Sequence, residues 1–368
     1  MMQVLLILLL TGACCALCGV FLVLRRQSML ADSISHTMLL GIVLTFLIVR
    51  DIASPWLMVG AVAIALATVA AVEQLANRRV LHRADAIGLV YPVLFSAAIL
   101  LLSRFARNTH LCMDTVMTGE VIFTALDTVR LWHLDIPRAA LEMLALLCVN
   151  LLAIAVFFKE LKVSAFDAEY SAIIGIPTAL LFDVLMGLTA MTAVKAFDGV
   201  GAILVLSFFI APAACACLLT KDLKWTLPVS VLIAAVNVLV GFWVGLRWNL
   251  SLSGMCAAVG MLTFLLTLLF RRGGLITGWW QRHENRRLIL SEMFLVHVGN
   301  HRGKQRAAAE TGTASIALHL HWKPSLLRRI SRSLLSAGLV RVSDGCYVLT
   351  EAGQQRYRAL IRRYHLAP

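Results

Sequence analysis

Long apolar stretches recur along the chain up to residue 270, each separated from the next by a short polar segment. Each stretch approaches the roughly 20 residues that an α-helix needs to cross a bilayer. The pattern predicts nine membrane-spanning helices, and eight or ten remain compatible with it. The predicted spans are 2–24, 33–49, 54–76, 85–103, 136–158, 172–194, 199–219, 226–246 and 251–270.

After residue 270 the pattern changes to amphipathic helices around a hairpin. Asp344-Gly345 is a strong two-residue turn signal between two short apolar segments. The predicted elements are helices at 284–298, 313–322 and 324–337, strands at 339–343 and 346–350, and a last helix from Glu351. Helix, helix, helix, hairpin, helix is a winged-helix order.

The pattern therefore predicts an all-α polytopic membrane protein with a small cytoplasmic winged-helix (α+β) domain. We place a transmembrane domain at 1–270, a basic linker at 271–283 and the winged-helix-like domain at 284–368. The first stretch follows Met1-Met2-Gln3, without a basic region or a clear cleavage site, so we expect a retained span rather than a signal peptide.

Composition agrees with a membrane protein, since 60% of the residues are hydrophobic and 14% are charged. The net charge of +13 is unevenly distributed. After residue 270 there are 17 Lys and Arg against 5 Asp and Glu, which leaves the membrane part nearly neutral. The tail is thus a separate basic region.

The loop charges predict the orientation, because Lys and Arg collect in cytoplasmic loops. Eleven of them fall on one face of the nine-span arrangement, which places the N-terminus outside and the C-terminus in the cytoplasm. They are Arg25, Arg26, Arg78, Arg79, Arg83, Lys159, Lys162, Lys221, Lys224, Arg271 and Arg272. The opposite face carries Arg50, Arg104, Arg107, Arg130 and Arg247.

Asp32 and His36 are the candidate metal ligands. Residues four apart share a helix face, and a carboxylate oxygen with an imidazole nitrogen suits divalent zinc, manganese or iron. Ionisable groups within membrane spans are often functional. The alternatives are a helix N-cap for Asp32 and an ordinary hydrogen-bonded polar neighbour for His36.

Two other carboxylates are further metal candidates. Asp183 is expected deep in the sixth span, where it could pair with Lys195 by another route or contact a partner subunit. Glu120 follows the long outward loop and could attract cations, although a solvated side chain is the simpler interpretation.

Four ordered segments carry a resemblance to the zinc/manganese/iron permease family of bacterial ABC importers. The first is Ala31-Asp-Ser-Ile-Ser-His-Thr-Met-Leu-Leu-Gly41, preceded by Leu24-Arg25-Arg26. The others are Asp85-Ala86-Ile87-Gly88, Phe166-Asp167-Ala168-Glu169-Tyr170 with Gly175, and Gly199-Val200-Gly201 leading to Ile210-Ala211-Pro212-Ala213-Ala214. Together they cover about residues 5 to 270.

The resemblance implies the membrane subunit of an ATP-driven importer, with no permanently bound cofactor and Zn, Mn or Fe as cargo. The chain has no G-x-x-x-x-G-K-[ST] phosphate loop, so a separate cytoplasmic ATPase would hydrolyse ATP. The family also implies a second permease subunit, an extracytoplasmic metal-binding lipoprotein and the bacterial cytoplasmic (inner) membrane. By resemblance, the ATPase would contact Asp167, Ala168, Glu169 and Gly175, although charges at a helix start are common for other reasons.

The tail has a second resemblance. Leu349-Thr350-Glu351-Ala352-Gly353 is similar to the segment joining wing and helix in metal-dependent repressors of the diphtheria-toxin-repressor type. Arg328, Arg329 and Arg332 on the third helix would then face DNA. A basic domain beneath a bilayer could equally contact anionic headgroups or the ATPase.

Two other functional classes remain open on the sequence. One is a membrane-anchored metal-responsive transcription regulator, and the other is an ion-coupled secondary metal transporter that uses Asp183. Asp plus His does not distinguish zinc from manganese or iron, nor does the sequence distinguish a homodimeric from a heterodimeric pore.

Overall fold

The computed structural model describes residues 1–51, 54–77, 81–105, 121–131, 134–271, 273–301 and 310–364. The chain forms two compact units, Met1–Arg271 and Arg272–Pro368. We refer to them as the membrane unit and the tail unit.

The membrane unit is mainly helical, and its described residues include nine helices long and apolar enough to cross a membrane. The nine-span prediction is confirmed. The helices are α1 (Met2–Leu24), α2 (Ser28–Val49), α3 (Trp56–Asn77), α4 (Arg83–Phe105), α5 (Val121–Thr124), α6 (Arg138–Val156), α7 (Phe158–Phe166), α8 (Ala168–Ile173), α9 (Thr178–Val200), α10 (Ala202–Leu219), α11 (Leu223–Trp248) and α12 (Leu252–Phe270).

Two predicted spans had wrong boundaries. The second span begins at Ser28 rather than at residue 33, because polar residues of its first turns continue the helix. The sixth runs from Thr178 to Val200 rather than from 172 to 194. Gly175 has a φ of 82° and Pro177 precedes α9, so the chain breaks between α8 and α9 where the apolar pattern runs on.

A short hairpin before α6 was not predicted. Strands β1 (Thr128–Leu131) and β2 (Leu134–Pro137) pair antiparallel, with Thr128 opposite Pro137. The Gln3 side chain donates a hydrogen bond to the Asp135 carbonyl at 2.9 Å. The start of α1 is thereby tied to the segment that leads into α6.

Helix α1 is the most buried of the nine spans, and it packs chiefly against α10 and α11. Gly19 makes this close packing possible, since a Cβ there would overlap the carbonyl of Phe209. Helices α2 and α3 approach in the same way at Gly41, where a Cβ would overlap the Gly60 carbonyl. Close backbone approach at small residues is the usual packing mode of helices in membranes.

The tail unit contains α13 (Leu275–Asn300), α14 (Ile316–His319), α15 (Pro324–Ser336), β3 (Val340–Ser343), β4 (Cys346–Leu349) and α16 (Glu351–Tyr364). Strands β3 and β4 pair antiparallel. Asp344 and Gly345 between them have φ values of 53° and 72°, as a type I′ turn requires. The predicted element order of the tail is therefore present.

Two tail boundaries differ from the prediction. Helix α13 begins at Leu275, so most of the predicted linker 271–283 is helical, and the break lies instead at Gly273, whose φ is 78°. The predicted second helix is reduced to Ile316–His319. One apolar core serves the whole unit, comprising Phe294, Leu295, Val298, Ile316, Leu327, Ile330, Leu334, Val340, Tyr347, Leu349 and Leu360.

Candidate metal site and coupling segment

Asp32 and His36 meet on one face of α2. Asp32 Oδ1 lies 3.4 Å from His36 Nε2, and the two side chains are 44% and 22% exposed, respectively. The N-cap of α2 is Gln27, so Asp32 does not cap the helix. Because α2 is continuous, residues four apart lie on the same face and their side chains meet. Part of the Asp32 carboxylate remains accessible beside the His36 ring.

Aromatic side chains of α4 position the His36 ring. The ring centroid lies 5.5 Å from that of Tyr91 and 5.3 Å from that of Phe95, which is met edge-on. His36 Nδ1 is buried without a hydrogen-bond partner among the described residues. Sequence reasoning did not single out Tyr91 and Phe95, although their spacing of four residues on one span was a usable signal.

The pair alone is an incomplete metal site. Within the described part of the chain, no three His, Cys, Asp or Glu side chains are arranged to hold an ion. Transition metals in proteins usually take four or more ligands. One chain thus offers two donors here, which suits an ion that is held briefly better than an ion that is held permanently.

The coupling segment predicted by resemblance is a short, exposed helix. Asp167 is the N-cap of α8, and its Oδ1 accepts a hydrogen bond from the Tyr170 backbone N–H at 2.9 Å. Ala168 and Glu169 form the first turn, and Gly175 supplies the left-handed residue after the helix. Asp167 therefore has a capping role of its own, whereas the exposed Glu169 side chain has none.

Exposed apolar side chains surround this charge. Phe166, Tyr170 and Ile173 are all exposed, Ile173 to 82%. At the other end of the segment, the Lys162 ammonium lies 2.8 Å from Asp222 Oδ1 before α11, and this hydrogen bond lowers the pKa of Asp222. This ion pair holds helix α7 against the start of α11. Helix α8, which follows, exposes apolar side chains.

Arg25 connects the coupling segment to the start of α2. Its Nη2 donates a hydrogen bond to Ser164 Oγ of α7 at 2.8 Å, and its guanidinium lies 5.4 Å from the ring centroid of Phe182 on α9. Burial lowers the pKa of Arg25; nearby Arg83 adds to this, and Glu73 opposes it. The sequence used Arg25 for orientation and within the family resemblance, and it did not indicate these contacts.

The remaining carboxylate candidates do not join the Asp32–His36 pair. Because α9 begins at Thr178, Asp183 lies in its second turn rather than deep in the span, and it is exposed. Lys195 pairs with Glu142 at 2.6 Å, so the alternative pairing of Asp183 with Lys195 was wrong. Glu120 lies outside the described residues.

The three predicted tail arginines share an exposed face of α15. Arg328, Arg329 and Arg332 line an open depression together with Ser325, Ser333 and Ser336. The opposite face of α15 is buried in the tail core. The surface is basic and accessible, and its geometry is compatible with phosphates of several kinds.

Comparison with known proteins gives a consistent result for the membrane unit. Residues 1–271 match the family model of the ABC 3 transport family. The chain is 39% identical to the manganese transport system membrane protein MntD of Bacillus subtilis over 270 residues, which is 73% of this chain and 91% of that protein. It also resembles PsaBC from Streptococcus pneumoniae solved in complex with a Fab, with a TM-score of 0.63, 22% identity and coverage of 77% and 94%.

One relative extends into the tail. The zinc transport system membrane protein TroD of Treponema pallidum is 34% identical over 353 residues, which is 96% of both chains. The alignment is longer than the membrane unit alone. A transport protein therefore carries a region similar to this tail.

Proposed function

Because the chain belongs to the ABC 3 transport family, it is the membrane permease subunit of an ATP-driven metal importer, and we propose that its cargo is a divalent zinc, manganese or iron ion that passes Asp32 and His36. The observation that carries the proposal is the 3.4 Å approach of Asp32 Oδ1 to His36 Nε2 on an otherwise apolar span. Carboxylate and imidazole together accept all three metals.

Mechanistically, the two donors hold the ion during its passage. An extracytoplasmic binding lipoprotein delivers the metal, and a second permease subunit completes the coordination shell with its own donors or with water. Two ligands per chain hold the ion less permanently than a thiolate cage would. An imidazole binds a metal ion through the lone pair of a ring nitrogen, and the Asp32 carboxylate supplies negative charge beside it.

A separate ATPase subunit supplies the energy at α8. An exposed charge at Glu169 surrounded by apolar side chains supports a docking surface for it. Close to α8, the Arg25–Ser164 hydrogen bond joins α7 to the segment between α1 and α2. Helix α2 begins at Ser28, about one turn before Asp32. ATP binding to the ATPase docked at α8 can thereby move the helix that carries the metal ligands.

The orientation follows from the loop charges. The coupling segment, the Arg25 end of α1 and the tail then lie in the cytoplasm of a bacterial cell whose inner membrane holds the nine spans. The winged-helix-like order of the tail supports a regulatory role. We do not extend the proposal to DNA, because the aligned relatives are transport proteins and a basic surface also suits anionic headgroups.

Radiometal uptake tests the proposal. The permease is reconstituted in vesicles with its ATPase and binding protein, and uptake of zinc, manganese and iron is measured with and without ATP. Asp32→Ala and His36→Ala should each reduce uptake by more than about 100-fold, since even loss of an outer hydrogen-bond partner weakens metal sites 10–100-fold.

His82→Ala is the matched control, because His82 is an exposed histidine near the start of α4 and should transport normally. Normal uptake by both site variants would remove the pair from the pathway. Uptake that needs an ion gradient and no ATP would favour a secondary transporter instead.

A further inference from the structure

Three imidazoles come together in the tail unit. His297 lies in the last turn of α13, His301 directly follows that helix, and His319 ends α14. The ring centroids of His297 and His301 are 4.6 Å apart, and those of His297 and His319 are 6.4 Å apart. Two segments of the tail thus contribute to one cluster.

Glu310 orients two of these rings through different atoms. His301 Nδ1 lies 2.7 Å from the Glu310 carboxylate, and His297 Nε2 lies 3.1 Å from the Glu310 carbonyl oxygen. A carbonyl can only accept, so His297 Nε2 must carry the hydrogen. In a neutral imidazole the other nitrogen then has an available lone pair, which is Nδ1 in His297 and Nε2 in His301.

This is the arrangement that metal-binding histidines adopt. A ligating imidazole usually donates its second ring N–H to a carboxylate or a backbone carbonyl, which selects the tautomer and the ring orientation. Here a single residue provides both acceptors. Burial lowers the pKa of His297; the hydrogen bond to Glu310 opposes this, and the neighbouring His301 and His319 add to it.

The spacing of the rings fits a shared ion after a small movement. Two imidazoles bound to one tetrahedral zinc at its usual Zn–N distance have centroids about 5 Å apart. The described residues do not yet place three donors around one point. His319 is exposed at the end of a four-residue helix, so its ring can turn toward the other two.

We propose that His297, His301 and His319 bind a divalent transition metal of the zinc class, with Glu310 as the orienting residue behind two of the rings. Imidazole-rich sites prefer zinc and its neighbours over magnesium or calcium. The site would join the end of α13 to α14. We further infer that the ion is cargo already imported and that its binding slows further uptake; this regulatory role rests on the proposed function. The binding of metal by the three histidines does not depend on it.

Metal binding is measured on the full-length protein in detergent, in an Asp32→Ala/His36→Ala background that removes the membrane pair. Equilibrium dialysis against zinc should give one tightly bound ion per chain. His297→Gln/His301→Gln in the same background should lose it. His283→Gln is the matched control, since His283 lies on the same helix about 20 Å away, and it should retain the ion.

Glu310→Gln separates a metal site from a merely structural cluster. An amide replaces the carboxylate at similar size, so the unfolding temperature without zinc should change little, whereas zinc affinity should fall about 10–100-fold. Cobalt provides a second readout that does not depend on stoichiometry, because imidazole-bound Co²⁺ in a four-coordinate site absorbs in the visible range. The His297→Gln/His301→Gln variant should lack that absorption.

The regulatory part is tested in vesicles whose cytoplasmic face is preloaded with zinc. Preloading should slow uptake by the chain with an intact tail and not by His297→Gln/His301→Gln. Equal slowing of both would overturn the regulatory role. Zinc retained by the tail variant, or absent from the Asp32→Ala/His36→Ala background, would overturn the site itself. Absence of uptake in every chain with zinc still bound to the tail would contradict the proposed function alone.

Discussion

At the scale of single residues, Arg25 is the most informative side chain outside the metal pair. It is partly withdrawn from water at the end of α1, with Ser164 as a hydrogen-bond partner and Phe182 beneath its guanidinium. Its Nε has no partner among the described residues. A cation held in this way is suited to transmit a displacement of α7, because its planar head contacts both Ser164 of α7 and Phe182 of α9.

Arg25→Lys tests this connection. The positive charge stays, whereas the fork geometry and the stacking on Phe182 are lost, so metal-stimulated ATP hydrolysis should continue while metal transported per ATP declines. Parallel measurement of uptake and phosphate release gives this ratio. Lys159→Ala is the control, since it removes an exposed charge from α7 itself. An unchanged ratio in Arg25→Lys would show that the contact serves packing only.

At the scale of elements, α8 has well-defined ends and exposes apolar side chains. Asp167 caps its start and Gly175 ends the turn after it, so a helix of six residues is held in place despite its length. Short helices are marginal alone. Tyr170 and Ile173 of α8 are exposed together with Phe166 at the end of α7, and they form the kind of apolar patch that marks a binding surface.

Glu169→Arg should prevent the ATPase from binding to the permease. Charge reversal at the edge of the apolar patch opposes docking while leaving the spans folded, because the side chain is exposed. Co-purification of the ATPase and metal-stimulated ATP hydrolysis are the measurements. Glu169→Gln should have a smaller effect, and Glu284→Arg in the tail unit should have none. Wild-type stimulation by Glu169→Arg would exclude this docking site.

At the scale of the whole molecule, the chain divides its chemistry between two units. The membrane unit holds the metal pair and α8, and the family match ends where this unit ends, at residue 271. The tail unit has its own core and most of the net charge. A region of about 100 residues with its own core can fold as a domain.

A chain truncated after Arg271 tests the division. We expect it to insert, to bind the ATPase and to transport metal at about the rate of the full chain, because a separate domain contributes no residue to the spans. Its uptake should no longer slow when the cytoplasmic face is preloaded with zinc. A truncated chain that assembles with its partners but moves no metal would make the tail part of the transport machinery.

What the sequence alone determined about this protein is local. Nine apolar stretches predict nine spans because a helix of about 20 apolar residues is long enough to cross the bilayer. Asp32 and His36 meet because four residues make about one turn, and Asp344-Gly345 forms the hairpin because both residues tolerate positive φ. The family signature lies in the same short segments.

Only the tertiary structure decided which distant side chains meet. Arg25 and Ser164 are 139 positions apart, His36 rests on rings from another span, and Lys195 pairs with Glu142 rather than with Asp183. The histidines of the tail form a cluster because α13 and α14 pack on one core. Such contacts depend on helix rotation and close approach, and residue spacing along the chain does not encode either.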